Sequence, residues 1–320
     1  MDTNRLPLQK NKSYLSNQLT KIKLKQIKRH WQLYLIVMLP LLYLLIFKYI
    51  PMYGALIAFK DFNAVDGILG SPWAGWKHFE AFFTAPNFWP IVNNTLLLGV
   101  YGLLVGFPAP IILALALNEI RNGIFKKSVQ MITFAPYFIS TVVVVSMIIL
   151  FTSPRLGIFN HLFEFMGFQQ VDFMGIPQYF SHIFVWSDVW QNVGYGAVIY
   201  LAALSGVNPQ LYEAARVDGA TRLQKIIHID LPSIMPTVVI LLILNVGQFM
   251  KLGFEKIYLM QNNLNLSASE VLQTYVFKVG IEGANFSFAS AVGLFNSVIN
   301  LILLLLANYL AKRVSESSLW

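Results

Sequence analysis

The side chains of this 320-residue chain that have chemistry to offer fall into two sets, and neither is built to make or break a covalent bond. The first is a charged, small-residue run between Tyr212 and Pro236: Glu213, Ala214, Ala215 and Arg216, then Asp218, Gly219, Ala220 and Arg222, closing on Leu231 and Pro232. Its two adjacent alanines let another protein approach closely and its charges supply a polar rim, so the chemistry is that of docking. The second set mixes rings and amides: Trp190, Gln191, Asn192 and Tyr195 in one apolar stretch, Asn245 and Gln248 in another. Polar groups inside apolar stretches are costly and face a cavity or a partner helix. Rings that stack on sugars beside amides that bond hydroxyls suit a carbohydrate path. Helix packing, with Gly194 and Gly196 permitting close approach, is the competing use. Lys251 and Glu255, four residues apart, suit a pair along one helix face.

Other chemistries are missing from the pattern. No His-Glu-x-x-His or Gly-x-Ser-x-Gly signature marks an intramembrane enzyme. No Gly-x-x-x-x-Gly-Lys-Ser/Thr loop cradles a nucleotide, so the chain cannot bind ATP in the P-loop manner and energy must come from another chain. The five histidines (His30, His78, His161, His182, His228) lack ligand spacing, and the absence of cysteine removes disulfides and thiolate zinc sites. Neither a metal nor a cofactor is expected on this chain.

The docking run reads as two short helices with a bend. Asn208 is a good N-cap with Pro209 at the first helical position. Gly219 can end that helix in the left-handed conformation, and Thr221 to Gln224 has capping-box spacing. The second helix should end or kink at Leu231-Pro232.

The elements around these residues follow from composition. Apolar residues make up 56% and charged residues 12% of the chain, which predicts an all-α membrane protein. Six segments reach the roughly 20 apolar residues a crossing takes: Trp31 to Ile50, Asn94 to Leu117, Val129 to Phe151, Ile183 to Leu204, Ile234 to Gly253 and Phe288 to Ala311. The first has no cleavage site after it and reads as a retained helix. Sixteen Lys and Arg residues fall on one side of these spans and seven on the other, which puts both termini and the 206–232 loop in the cytoplasm. The net charge of +8 is thus a matter of topology, not of nucleic-acid binding. The organisation expected is a basic cytoplasmic segment over 1–30, a transmembrane domain over 31–311 and a cytoplasmic tail over 312–320. Lys21 to Arg29 alternates basic and apolar residues and suits the anionic inner leaflet, and Trp76 to Phe83 suits an interfacial helix.

Glu213-Ala214-Ala215, Asp218-Gly219-Ala220, Ile229, Leu231-Pro232 and Pro236 closely resemble the EAA loop of ABC importer permeases, with Leu223 and Ile226 where that family often has aromatic residues. Phe47 to Gly54 and Ile57 to Phe62 are similar to the signature of the oligosaccharide and polysaccharide importers. The resemblance implies a type I ABC importer permease in the bacterial cell membrane. It would work with a second permease subunit, two ATPase subunits that dock on the loop, and an extracytoplasmic solute-binding protein, for an oligosaccharide substrate. The alternatives are a permease for a non-carbohydrate solute and a stand-alone secondary transporter, which should show repeated halves or buried ionisable groups.

Overall fold

The computed structural model describes residues 29–121 and 123–314; most of the basic N-terminal run and the end of the tail lie outside them. Among the described residues the regular structure is helical, apart from one isolated bridge between Lys60 and Trp73.

The N-terminal unit, through Leu56, holds helix α1 (Trp31–Leu44), whose side chains are apolar on every face and all exposed. Such a helix fits lipid. A π turn, Leu45–Tyr49, follows, and Pro51 sits one residue beyond it, after Ile50. The wider turn suits a proline, which lacks the N–H that an α turn would use.

From Ile57 the second unit runs through α2 (Lys77–Phe83), α3 (Phe88–Gly106), α4 (Pro108–Glu119), α5 (Ile124–Phe134), α6 (Thr141–Thr152), α7 (Ile158–Phe165), α8 (Pro177–Ser205), α9 (Pro209–Val217), α10 (Arg222–Lys225), α11 (Leu231–Val246), α12 (Phe254–Met260), α13 (Leu272–Phe277) and α14 (Phe286–Val314). The 29-residue α8 is central and packs on α3, α4, α5 and α11. One core joins Phe180, Phe184 and Val185 of α8 to Leu98, Val145, Ile257 and Met260. A second gathers Phe82, Ile91, Met250 and Val292, so the helix expected over Trp76 to Phe83 turns part of its apolar face inward. Buried asparagines tie the connecting loops: Asn160 bonds the backbone of Ser153 and Val171, and Asn265 that of Met174 and Met260.

Among the described residues, four helices are long and apolar enough to cross a membrane: Trp31–Phe59, Phe88–Glu119, Arg222–Val246 and Phe286–Arg313. The expected third span is instead two helices, Ile124–Phe138 and Thr141–Thr152, bent by 101°. Pro136 withholds an N–H there, and Ile139 and Ser140 are extended. The expected fourth span lies within α8, whose Asp188, Gln191 and Asn192 keep it out of the strongly apolar set. The fifth stops at Val246, seven residues early, and the chain turns through Gly247 to Gly253, which has φ 61°. Lys251 and Glu255 therefore do not share a helix, and the pair expected along one helical face does not form.

Each break is repaired by an amide from another helix, as irregular backbone within a membrane protein requires. Gln191 donates to the carbonyl of Ile139 at 3.1 Å, and Asn300 accepts the N–H of Met250 at 3.1 Å.

Candidate functional site

The docking run folds as a self-contained knuckle. Asn208 Oδ1 accepts the N–H of Gln210 at 3.0 Å, and Pro209 opens α9 where its missing N–H costs nothing. At the other end Gly219 takes φ 74°, its N–H reaching Arg216 O at 3.2 Å while Ala220 N–H reaches Ala215 O at 2.8 Å. These are the two bonds of a Schellman ending. The capping box forms too: Thr221 Oγ1 accepts from Gln224 N and Gln224 Oε1 accepts from Thr221 N. The helix it starts does not stop at Leu231-Pro232. A π turn over Ile226–Asp230 accommodates Pro232, and the helix runs on as one element, Arg222–Val246.

One strut joins the knuckle to the span behind it. Tyr212 of α9 donates its hydroxyl proton to Asp230, which is fully buried. Burial, reinforced by that carboxylate, pushes the Tyr212 phenol up to about 12. On the outer face Glu213, Ala214, Arg216, Asp218, Gly219 and Arg222 are exposed, with Ala215 and Ala220 half-buried. Leu231 and Pro232 stand at the start of α11, behind this face. Charge and small size had singled out these residues, but the exposed apolar side chains are as telling. Val217 is 89% and Leu223 65% exposed, so the knuckle carries an uncovered hydrophobic tip as well as a polar rim.

Four residues of the second set line a cavity of about 830 Å³. Its walls come from α3 and α4, from the middle of α8, from the end of α11 and from the broken segment that follows. Glycine shapes one wall: a Cβ on Gly99 would stand 2.9 Å from the ring of Phe249, whereas Gly102 faces open space. Asn192, Asn245 and Gln248 line this space, as does Gln191, whose amide nitrogen is already committed to Ile139. Asn245 and Asn192 each donate to their own helix, at Leu241 O and Asp188 O. Trp190 and Tyr195 do not line it. Tyr195 stacks on Tyr137 at 3.9 Å between ring centres, which clamps the broken third element to α8. Gly194 serves the same contact, since a Cβ there would fall 2.0 Å from Thr133 O. The cavity thus takes four of the six residues and helix packing takes Tyr195, while Trp190 is 46% exposed and stands outside the cavity.

Sequence reasoning missed the charged pair in the cavity wall. Lys256 of α12 is only 4% exposed, with Nζ 3.5 Å from Asp188 Oδ1 and 5.4 Å above the centre of the Phe184 ring. Asp188 lies just before Gln191 and Asn192, in a stretch already marked as polar; its partner, 68 residues away, carried no local signal.

Residues 106–316 match the family model for the binding-protein-dependent transport system inner membrane component. This chain belongs to that family. The permease is similar to the polygalacturonan/rhamnogalacturonan transport system permease YteP of Bacillus subtilis (43% identical over 299 residues, 93% of this chain and 92% of the relative). It is also similar to protein LplB of the same organism (42% over 294 residues, 92% of each chain). Among solved structures, a chain of a bacterial alginate ABC transporter, determined in complex with an alginate pentasaccharide-bound periplasmic protein, superposes with TM-score 0.86 at 38% identity. That superposition covers 92% of the permease and 99% of that chain. The permease is therefore a multi-pass membrane component of an ABC importer with the type I permease fold. Members of this family are transport subunits, not catalysts.

Proposed function

We propose that this permease forms half of the translocation path of an ATP-driven importer for oligosaccharides or polysaccharide fragments. It crosses the membrane six times, the fourth crossing through α8 and the third through the bent pair, with both termini in the cytoplasm. A second permease subunit completes the path and an extracytoplasmic binding protein delivers the solute. Two ATPase subunits, which hold ATP and Mg, dock on the knuckle at Glu213 to Arg222. The observation that carries this is the cavity, a space of about 830 Å³ lined by amides and by the rings of Phe249 and Phe254. It supplies both ring faces and hydrogen-bonding groups for a glycan, and YteP and the alginate transporter are named for polygalacturonan/rhamnogalacturonan and for alginate.

In this mechanism, closure of the ATPase pair moves α9. The Tyr212 to Asp230 strut passes the movement to the fifth span, and the cavity changes the side on which it opens. The test is ATP hydrolysis by the reconstituted assembly with its binding protein, offered alginate pentasaccharide, galacturonan and rhamnogalacturonan fragments, neutral oligosaccharides and non-carbohydrate solutes. Stimulation by one glycan is expected. Loop-dependent hydrolysis that answers only to a non-carbohydrate solute would remove the glycan, and failure to recruit any ATPase would remove the importer.

A further inference from the structure

We propose that Asp188 is a substrate-binding residue of the path, a carboxylate that accepts glycan hydroxyls, and that Lys256 is the positioning residue behind it. The inference rests on the glycan-importer function above and names the group that grips the sugar.

The burial of the pair is lopsided. The Lys256 side chain is 5% exposed and that of Asp188 51%. Burying an ammonium is costly unless a counter-charge and hydrogen bonds compensate it. Among the described residues Lys256 Nζ meets no hydrogen-bond partner, so the 3.5 Å approach to Asp188 and the face of Phe184 are what hold its charge. A purely structural ion pair would be expected to hide both partners and complete their bonds. Here the cation is hidden and the carboxylate is presented to the cavity.

The carboxylate is oriented and half free. Oδ1 accepts Asn192 Nδ2 at 3.1 Å and faces Lys256, while Oδ2 has no hydrogen-bond partner among the described residues. A sugar hydroxyl must donate a proton to something, and a carboxylate accepts it about twice as strongly as a neutral group does. Asn192, Asn245 and Gln248 line the same space and can bond the remaining hydroxyls, while Phe249 and Phe254 offer apolar faces.

Lys256 also settles the charge of the wall. The charged residues lining the cavity are Asp188, Glu255, Lys251 and Lys256, and their formal charges cancel. An acceptor for hydroxyls is therefore present without a net field that would repel an acidic sugar. Lys256 can take this position because the chain leaves α11 early and restarts at Gly253, whose left-handed backbone aims α12 back toward α8.

The experiment measures uptake of alginate pentasaccharide and of oligogalacturonate into liposomes carrying the complete assembly, for D188N, K256M, the double variant D188N/K256M and D188E. Assembly of each variant is checked by size and by ATP hydrolysis. A structural clasp fails when one charge is left alone and recovers when both are removed. A substrate acceptor does not recover. The expected result is a loss of about tenfold or more for D188N, as for a hydrogen bond to a charged group, with an equal loss in the double variant. K256M should be impaired several-fold and D188E should retain more uptake than D188N. Saturation-transfer NMR of the same oligosaccharides on the assembly without binding protein should show sugar contact in the wild type and lose it in D188N. Uptake by the double variant within twofold of wild type, or wild-type uptake by D188N, overturns the inference and leaves the importer standing. A wild-type assembly that moves no glycan overturns both.

Discussion

Gly194 and Tyr212 show how much of this permease depends on single atoms. Gly194 has no room for a methyl group, because its Cβ would meet Thr133 O at 2.0 Å and the backbone N of Phe134 at 2.8 Å. Backbone cannot swing aside as a side chain can, so Gly194→Ala should cost about 1–3 kcal/mol, the range for overpacking. That loss should appear as a lower thermal midpoint of the detergent-purified protein, while Gly102→Ala, facing open space, should melt like the wild type. For Tyr212, removal of the hydroxyl leaves the buried Asp230 without the hydrogen bond it receives in the fold. Tyr212→Phe should cost about 1–3 kcal/mol and lower transport per ATP hydrolysed. The phenol carries its own pH signature. Its folded value is raised from 10.0 to about 12, so its contribution is complete below pH 10 and is lost as pH rises toward about 12. An alkaline titration of tyrosine absorbance, wild type minus Tyr212→Phe, should place this residue well above an ordinary phenol, and a midpoint near 10 would mean the strut is open in solution.

At the level of elements, the knuckle was legible in the sequence and the breaks were not. Asn208, Gly219, Thr221 and Gln224 act within five residues of themselves, so their types and spacing carry the caps and the bend. The breaks at Ile139 and Met250 depend on Gln191 and Asn300, which stand 52 and 50 residues away and bond there only once the helices have packed. The same distance effect explains why Tyr195 and Gln191, chosen for a sugar path, turn out to be engaged in holding a broken helix. Pro232 was visible, but its outcome was not, because a π turn absorbs it without ending the helix. At Gly219 the obstacle to substitution is the backbone and not the space, since a Cβ there would meet nothing within 4 Å. Asparagine tolerates the left-handed region and valine does not. Gly219→Val should therefore uncouple hydrolysis from uptake strongly, and Gly219→Asn or Gly219→Asp only partly. Equal effects from all three would show that the side chain, and not the bend, is what the partner reads.

For the whole molecule, each of the six apolar segments falls mainly on helix, but the hydropathy pattern overstated their regularity, because a window of apolar residues records length and not the course of the backbone. The side of the membrane is open to direct measurement, and the cysteine-free sequence makes that measurement clean. Single cysteines at the exposed positions Ile124 and Val217 should react with an impermeant maleimide only from the cytoplasmic side. Cysteines at Val65 and Leu264, also exposed, should react only from outside. Labelling of Val65 and Val217 from the same side would break the six-span topology.

The 101° bend has one further consequence, for the way the chain is made. Its halves, Ile124–Phe138 and Thr141–Thr152, are each shorter than the roughly 20 residues that hold a helix across a bilayer. Neither can settle in lipid as it leaves the ribosome, and the carbonyl of Ile139 has no partner until Gln191 has been synthesised. The expected outcome is that the bent pair settles only once α8 has emerged, the two entering the membrane together: a chain truncated before Gln191 should leave the pair extractable by alkali, and one that reaches Ser205 should not.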